Sequence, residues 1–97
     1  REIEEKILQH PAISEVAVLG VPDPVWGEVG IAVCVPREGH SPAEAELHGW
    51  LEDKIARYKM PKRFIFWNEM PKSAYGKIAK KLIREELERR GELESAA

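Results

Sequence analysis

The stretch Glu28-Val29-Gly30-Ile31-Ala32-Val33-Cys34-Val35-Pro36 decides the fold. Read as a strand, it puts Val29, Ile31, Val33 and Val35 on one face and Gly30, Ala32 and Cys34 on the other. Large residues on one side and small ones opposite predict a packed core face backed by a face that something approaches closely. Just upstream, Glu15–Val21 (EVAVLGV) is short, apolar and rich in β-branched residues, which predicts a second strand covered on both faces. Between the two, Pro22-Asp23-Pro24-Val25-Trp26-Gly27 places two prolines and a glycine within six residues, so it reads as a loop.

Outward from this pair the period changes. Ile3, Ile7 and Leu8 recur on one helical face within residues 2–10, and Pro11 ends that helix because the residue before a proline is pushed out of the α region. Ser41-Pro42-Ala43-Glu44 has the form of a capping box, with Ser41 as N-cap, Pro42 at N1 and Glu44 at N3. The helix it predicts runs to about Ile55 and carries Leu47, Trp50, Leu51 and Ile55 inward. Arg63–Trp67 (RFIFW) reads as an aromatic strand. A last helix, 77–90, has Ile78, Leu82, Ile83 and Leu87 on one face and Gly91 as the C′ residue, with 91–97 expected as a frayed tail. The order is α-β-β-α-β-α, which predicts an α+β domain with a small sheet of about three strands flanked by helices.

Ninety-seven residues make one domain. A net charge of −2 argues against a nucleic-acid binder, and the local basic cluster of Lys72, Lys77, Lys80, Lys81 and Arg84 is offset by Glu85, Glu86 and Glu88. The one cysteine, Cys34, lies in an apolar run and reads as a small buried hydrophobe. With His10, His40 and His48 scattered, no Cys/His metal spacing exists. A reducing, cytoplasmic compartment fits this cysteine usage. Nothing in the sequence predicts a membrane span. The chain opens at Arg1, inside a helical pattern and without methionine, which leads us to expect a fragment of a longer protein.

Chemistry concentrates at Pro71-Lys72-Ser73-Ala74-Tyr75-Gly76-Lys77-Ile78. A helix starting near Lys77 would hold a cation at its positive end, where free N–H groups already favour an anion. Such a broken local rule suggests a phosphate or carboxylate held by the helix end and the ammonium together. A plain solvated helix lysine is the other reading. A Walker A loop is excluded, because the two positions it requires hold Pro71 and Ile78.

Three blocks in register narrow this choice. They are Glu2-Ile3-Glu4-Glu5 running into Val16–Gly20; Val21-Pro22-Asp23 followed by Trp26-Gly27-Glu28; and Tyr58-Lys59-Met60-Pro61 followed by Pro71-Lys72-Ser73 and Gly76-Lys77-Ile78. Together, as far as about Arg84, they resemble the C-terminal domain of the adenylate-forming enzymes: acyl-CoA synthetases, nonribosomal peptide adenylation domains and luciferases. The match is most like an acyl-CoA synthetase.

The resemblance implies a lid domain over residues 1–97. Its partner would be a large N-terminal domain that binds ATP, Mg2+ and a small carboxylic acid. Lys77, carried by Gly76, is implied as the catalytic and nucleotide-binding lysine of acyl-adenylate formation, after which the lid rotates for thioester formation with CoA. The hinge and the glycine-containing loop that meets pantetheine would precede Glu2 and are missing from this sequence. A basic residue after the mid-helix tryptophan, which touches a CoA phosphate in some relatives, is also missing: Leu51, Glu52 and Asp53 follow Trp50. Pro22, Asp23, Trp26 and Gly27 are expected to shape their loop, and in one orientation to touch the partner domain. Acetylation of Lys77 by a lysine acetyltransferase, reversed by a deacetylase, is a further implication. The alternative is a stand-alone binding module for a phosphorylated ligand or an acidic partner.

Overall fold

The computed structural model describes residues 1–93 of the chain. Helix α1 spans Glu2–Leu8, strand β1 Ile13–Asp23, strand β2 Gly27–Pro36, helix α2 Glu44–Leu51, strand β3 Arg63–Phe66 and helix α3 Lys80–Arg89. A single 3-10 turn, Arg57–Lys59, interrupts the connection from α2 to β3. The expected order and class are therefore observed.

The sheet is mixed, in the order β1-β2-β3. Strands β1 and β2 form a long antiparallel hairpin, from Ile13↔Pro36 to Asp23↔Gly27, with a register shift between Ile13 and Glu15. Strand β3 runs parallel to β2, from Ile31↔Arg63 to Cys34↔Phe66, and α2 makes the crossover that a parallel pair requires.

Both faces of the sheet are covered, each by a different set of helices. Ala17, Leu19, Val21, Ile31, Val33 and Val35 pack against Trp67, Met70, Ile83 and Leu87, so α3 closes one face. Val16, Ala32, Cys34 and Phe64 pack against Ile7, Leu47, Leu51 and Ile55, so α1 and α2 close the other. The small face of β2 is thus the side where two helices and the 55–64 segment come close. A Cβ on Gly30 would lie 3.9 Å from Pro61 Cα, and Lys62 N–H donates to Gly30 O at 2.8 Å. Leu47, Leu51, Ile83 and Leu87 are fully buried, each stabilising the fold by about 1.5–3 kcal/mol.

Backbone groups on both outer strands are taken up by side chains. Val18 N–H donates to Glu4 Oε2 at 2.7 Å and Arg84 Nη2 donates to Gly20 O at 2.8 Å. Phe64 N–H donates to Glu44 Oε2 at 2.8 Å. This quenches the pairing tendency of open strands and ties all three helices to the sheet.

Two helix starts differ from expectation. Helix α2 begins at Glu44 with Ala43 as N-cap and no side-chain cap, so Ser41 and Pro42 lie in the preceding loop. The reason is the bond to Phe64: the Glu44 carboxylate serves the sheet rather than the helix end. Helix α3 begins at Lys80, three residues after Lys77. Pro71–Ala79 instead forms a small hairpin closed by a single antiparallel bridge, Lys72↔Ile78. Lys77 is therefore not a cation at a helix start, and a different local geometry takes the place of that expectation.

The end of α3 follows expectation. Gly91 adopts φ +74°, its N–H donates to Glu88 O, and Glu92 N–H donates to Leu87 O, the pair of bonds that defines a Schellman motif. Glu92 and Leu93, within the expected tail, are engaged: Arg63 bonds to Glu92 and Leu93 packs on the core. The rest of that tail, 94–97, lies outside the described residues.

Candidate functional site

The hairpin is built from three backbone decisions. Ser73 N–H donates to Lys77 O at 2.8 Å, and Gly76 N–H donates to Ser73 O at 2.9 Å, closing a tight turn. Gly76 sits at φ +75°, in the left-handed region. A Cβ there would meet nothing within 4 Å, so the backbone angle alone calls for glycine. Such a turn followed by a left-handed glycine is a common way to reverse a hairpin.

The turn projects Tyr75, which is 90% exposed, and Lys77, also exposed. Lys77 has no ion-pair or side-chain hydrogen-bond partner among the described residues. Of its basic neighbours Lys72, Lys80 and Arg84 are engaged, while exposed Lys81, like Lys77, has no such partner among the described residues. Lys72 Nζ lies 2.7 Å from Glu15 Oε2, Lys80 Nζ lies 2.9 Å from Glu4 Oε2, and Arg84 bonds to β1. These contacts reach across to β1 and α1, whereas the pattern of the sequence suggested that Glu85, Glu86 and Glu88 offset the cluster along the helix. Of those three acids Glu86 alone is paired among the described residues, to Arg89 and to Arg90 just past the end of α3. Those two guanidinium hydrogen bonds hold its carboxyl down at about 2.

A second feature lies at the other end of β1. An open groove of about 1140 Å³ runs between the β1–β2 turn and residues 57–62. Trp26 and Tyr58, 76% and 86% exposed, stand at its rims with Arg57, Lys59 and Lys62. Asp23 locks the two sides together. Its Oδ2 accepts from Val25 N–H at 3.0 Å and Trp26 N–H at 2.8 Å, and its Oδ1 accepts from Lys62 Nζ at 2.8 Å. The Lys62 hydrogen bond, the turn N–H groups and the lysine charge hold the Asp23 carboxyl below the usual range. Sequence reasoning placed Asp23 in a loop but missed this clamp; Asp ahead of Pro-x-Trp-Gly was the available signal for a side chain folding back on its own turn. Glu4 and Glu15 were missed as partners of the hairpin, because their contacts span the whole chain.

Trp50, expected inward with Leu47 and Leu51, packs against that core but at the edge of the α1–α2 layer and only partly buried. Its Nε1–H donates to Lys6 O at 3.0 Å, Lys54 Nζ lies 3.8 Å from its ring centre, and His10 meets it edge-on. Cys34 is fully buried, which pushes its thiol up to about 12. Among the described residues no group of three or more His, Cys, Asp or Glu could hold a metal, and no helix is long and apolar enough to cross a membrane.

The three-layer domain thus presents an unpaired lysine on a glycine-turn hairpin and, towards the other end of β1, a groove with aromatic rims. The chain belongs to the family described as AMP-binding enzyme C-terminal domain, whose model matches residues 2–77. It is 43% identical over 82 residues to the mitochondrial malonate–CoA ligase of Homo sapiens, covering 84% of this chain and 14% of that enzyme. It is 45% identical over 84 residues to indoleacetate–CoA ligase of Aromatoleum aromaticum, covering 87% of this chain and 16% of that enzyme. The Mycobacterium tuberculosis fatty acyl CoA synthetase structure superposes with a TM-score of 0.83 at 38% identity, over 92% of this chain and 18% of that one. The chain therefore spans under a fifth of the length of these relatives. The family match does not favour a stand-alone binding module.

Proposed function

We propose that residues 1–97 form the mobile C-terminal lid of an ATP-dependent, AMP-forming carboxylate–CoA ligase, and that Lys77 is its catalytic residue. The observation that carries this reading is the unpaired, exposed ammonium held on the Gly76 turn, within a chain of this family. In the first half-reaction a carboxylate oxygen of the acid attacks the α-phosphorus of ATP. A new P–O bond forms, the bond to pyrophosphate breaks, and an acyl-adenylate results. Negative charge gathers on the attacking and phosphoryl oxygens. An ammonium delivered between them stabilises that charge without reorganising first. At ~3–4 Å and an effective dielectric of about 20 the contact contributes roughly 4 kcal/mol.

Mg2+, which would neutralise the polyphosphate, falls to the large N-terminal domain that the family resemblance implies. The lid then rotates, withdrawing Lys77, and CoA attacks the acyl carbon through its thiol to give thioester and AMP. The groove rimmed by Trp26 and Tyr58 is the second face of this domain and the one turned inward at that stage; its exposed rings and basic rim suit contact with a partner. The partners of the chain are its own N-terminal domain and the acid. Acetylation of Lys77 by a lysine acetyltransferase would remove the charge and stop adenylation. The compartment we propose is the cytoplasm.

Single-turnover assays of the full-length enzyme test the central assignment. Lys77→Ala should slow acyl-adenylate formation by on the order of 10²–10³-fold and leave thioester formation from preformed adenylate within a few-fold of wild type. Equal loss in both half-reactions would show that Lys77 is not the adenylation lysine.

A further inference from the structure

We propose that Glu15 and Glu4 are positioning residues for Lys77, fixing the two legs of its hairpin to the outer edge of β1 through Lys72 and Lys80. The inference rests on the assignment of Lys77 above. The hairpin packs few large side chains of its own: Lys72, Ala74, Tyr75, Gly76, Lys77 and Ile78 are all exposed. Its internal bonds define its shape but not its orientation on the domain. Orientation comes from the ends. On the entering leg, Lys72 Nζ is 2.7 Å from Glu15 Oε2. Past the leaving leg, Lys80 Nζ is 2.9 Å from Glu4 Oε2. Glu4 is itself fixed, because the same carboxylate oxygen accepts from Val18 N–H at 2.7 Å.

Both carboxylates are mostly covered, at 26% and 20% side-chain exposure, while the lysines are about half exposed. The acids are thus the rigid half of each pair and the lysines the tethered half. The attachment points, Glu15 and Val18, lie three residues apart on one strand. Two tethers at that spacing hold a hairpin against tilting, which a single tether would not. A misplacement of about 1 Å can cost on the order of a hundredfold in rate when a catalytic group must meet reacting atoms. Lys72 and Lys80 therefore act on the reaction through Lys77, without themselves touching substrate.

The experiment uses full-length enzyme and reads adenylate formation, thioester formation from preformed adenylate, and the KM for acid and for ATP. Lys72→Glu and Lys80→Glu each set two carboxylates face to face. Each should lower kcat for adenylate formation by roughly three- to thirtyfold, with both KM values and the thioester step unchanged. The exchanged pair Lys72→Glu with Glu15→Lys should recover at least half of that loss. Glu4→Gln, which keeps an acceptor for Val18 N–H, should lower kcat about two- to fivefold and serves if the reversals unfold the protein. Three results would overturn the proposal. One is an exchanged pair no better than Lys72→Glu alone, which would mean that the lysine charge acts directly on a ligand. Another is a loss that falls equally on both half-reactions. The third is wild-type behaviour in all four variants. Lys77→Ala is run alongside: if it adenylates normally the parent assignment has failed, whereas its collapse beside unaffected pair variants sinks only the positioning inference.

Discussion

Two turns in this domain share a local plan and differ in how it is completed. Trp26-Gly27-Glu28 ends the turn between β1 and β2, and Tyr75-Gly76-Lys77 ends the turn of the hairpin. Each glycine has a positive φ, +80° and +75°, and neither is crowded at its missing Cβ. Each exposes one aromatic ring just before the glycine. In the first turn a covered carboxylate, Asp23, neutralises Lys62 and organises the N–H groups of the turn from inside. In the second the tip is shaped by its backbone and by the Ser73 hydroxyl, and its cation is left without a partner among the described residues. The difference teaches that turn geometry alone does not make a site. The proposed site is the turn whose charge is left uncompensated.

Substitutions at matched positions should break this symmetry in a graded way. The largest effect is expected at the fully buried α3 residue Leu87, which serves as a control on stability. Leu87→Ala should cost about 2–5 kcal/mol by denaturant titration, whatever happens at either turn. Next come the glycines. Gly27→Ala and Gly76→Ala place Ala at a positive φ, and each should cost about 1–2 kcal/mol in the same titration. Only Gly76→Ala should also slow adenylate formation, and equal slowing by both would erase the distinction between the two turns.

Asp23 gives a pH test. Its carboxyl lies lower in the folded chain than in the unfolded one, so its stabilisation is present above the usual aspartate range and is lost as pH falls through the lowered folded value. Asp23→Asn should flatten the acid side of the stability profile relative to wild type, measured between neutral pH and acid. An unchanged acid slope would contradict the clamp. The smallest effect concerns Cys34, whose thiol burial pushes up to about 12. In native buffer it should resist a thiol reagent, and label only after unfolding; rapid native labelling would show that the α1–α2 face is open.

Much of the fold was legible because it is local. Alternation in 28–36, the β-branched run in 15–21 and the Gly91 stop each depend on neighbours in sequence, and each appears in the structure. Helix starts were less legible. Ser41-Pro42-Ala43-Glu44 has every mark of a capping box, yet Glu44 is taken by Phe64, twenty residues on. Lys77 was singled out for the wrong local reason: it lies on a hairpin tip, not at a helix start. The parts of the site with no sequence signal are the long-range ones, Lys72 to Glu15, Lys80 to Glu4 and Lys62 to Asp23, because ion pairs between distant residues leave no periodicity to read.

The most direct measurement is a crystal structure of the full-length enzyme with a non-hydrolysable ATP analogue and its carboxylic acid. The account predicts Lys77 Nζ within hydrogen-bond distance, about 3 Å, of both a carboxylate oxygen of the acid and an α-phosphate oxygen. A closed, substrate-filled site in which another cation fills that position, with the Gly76 turn facing solvent, would contradict it.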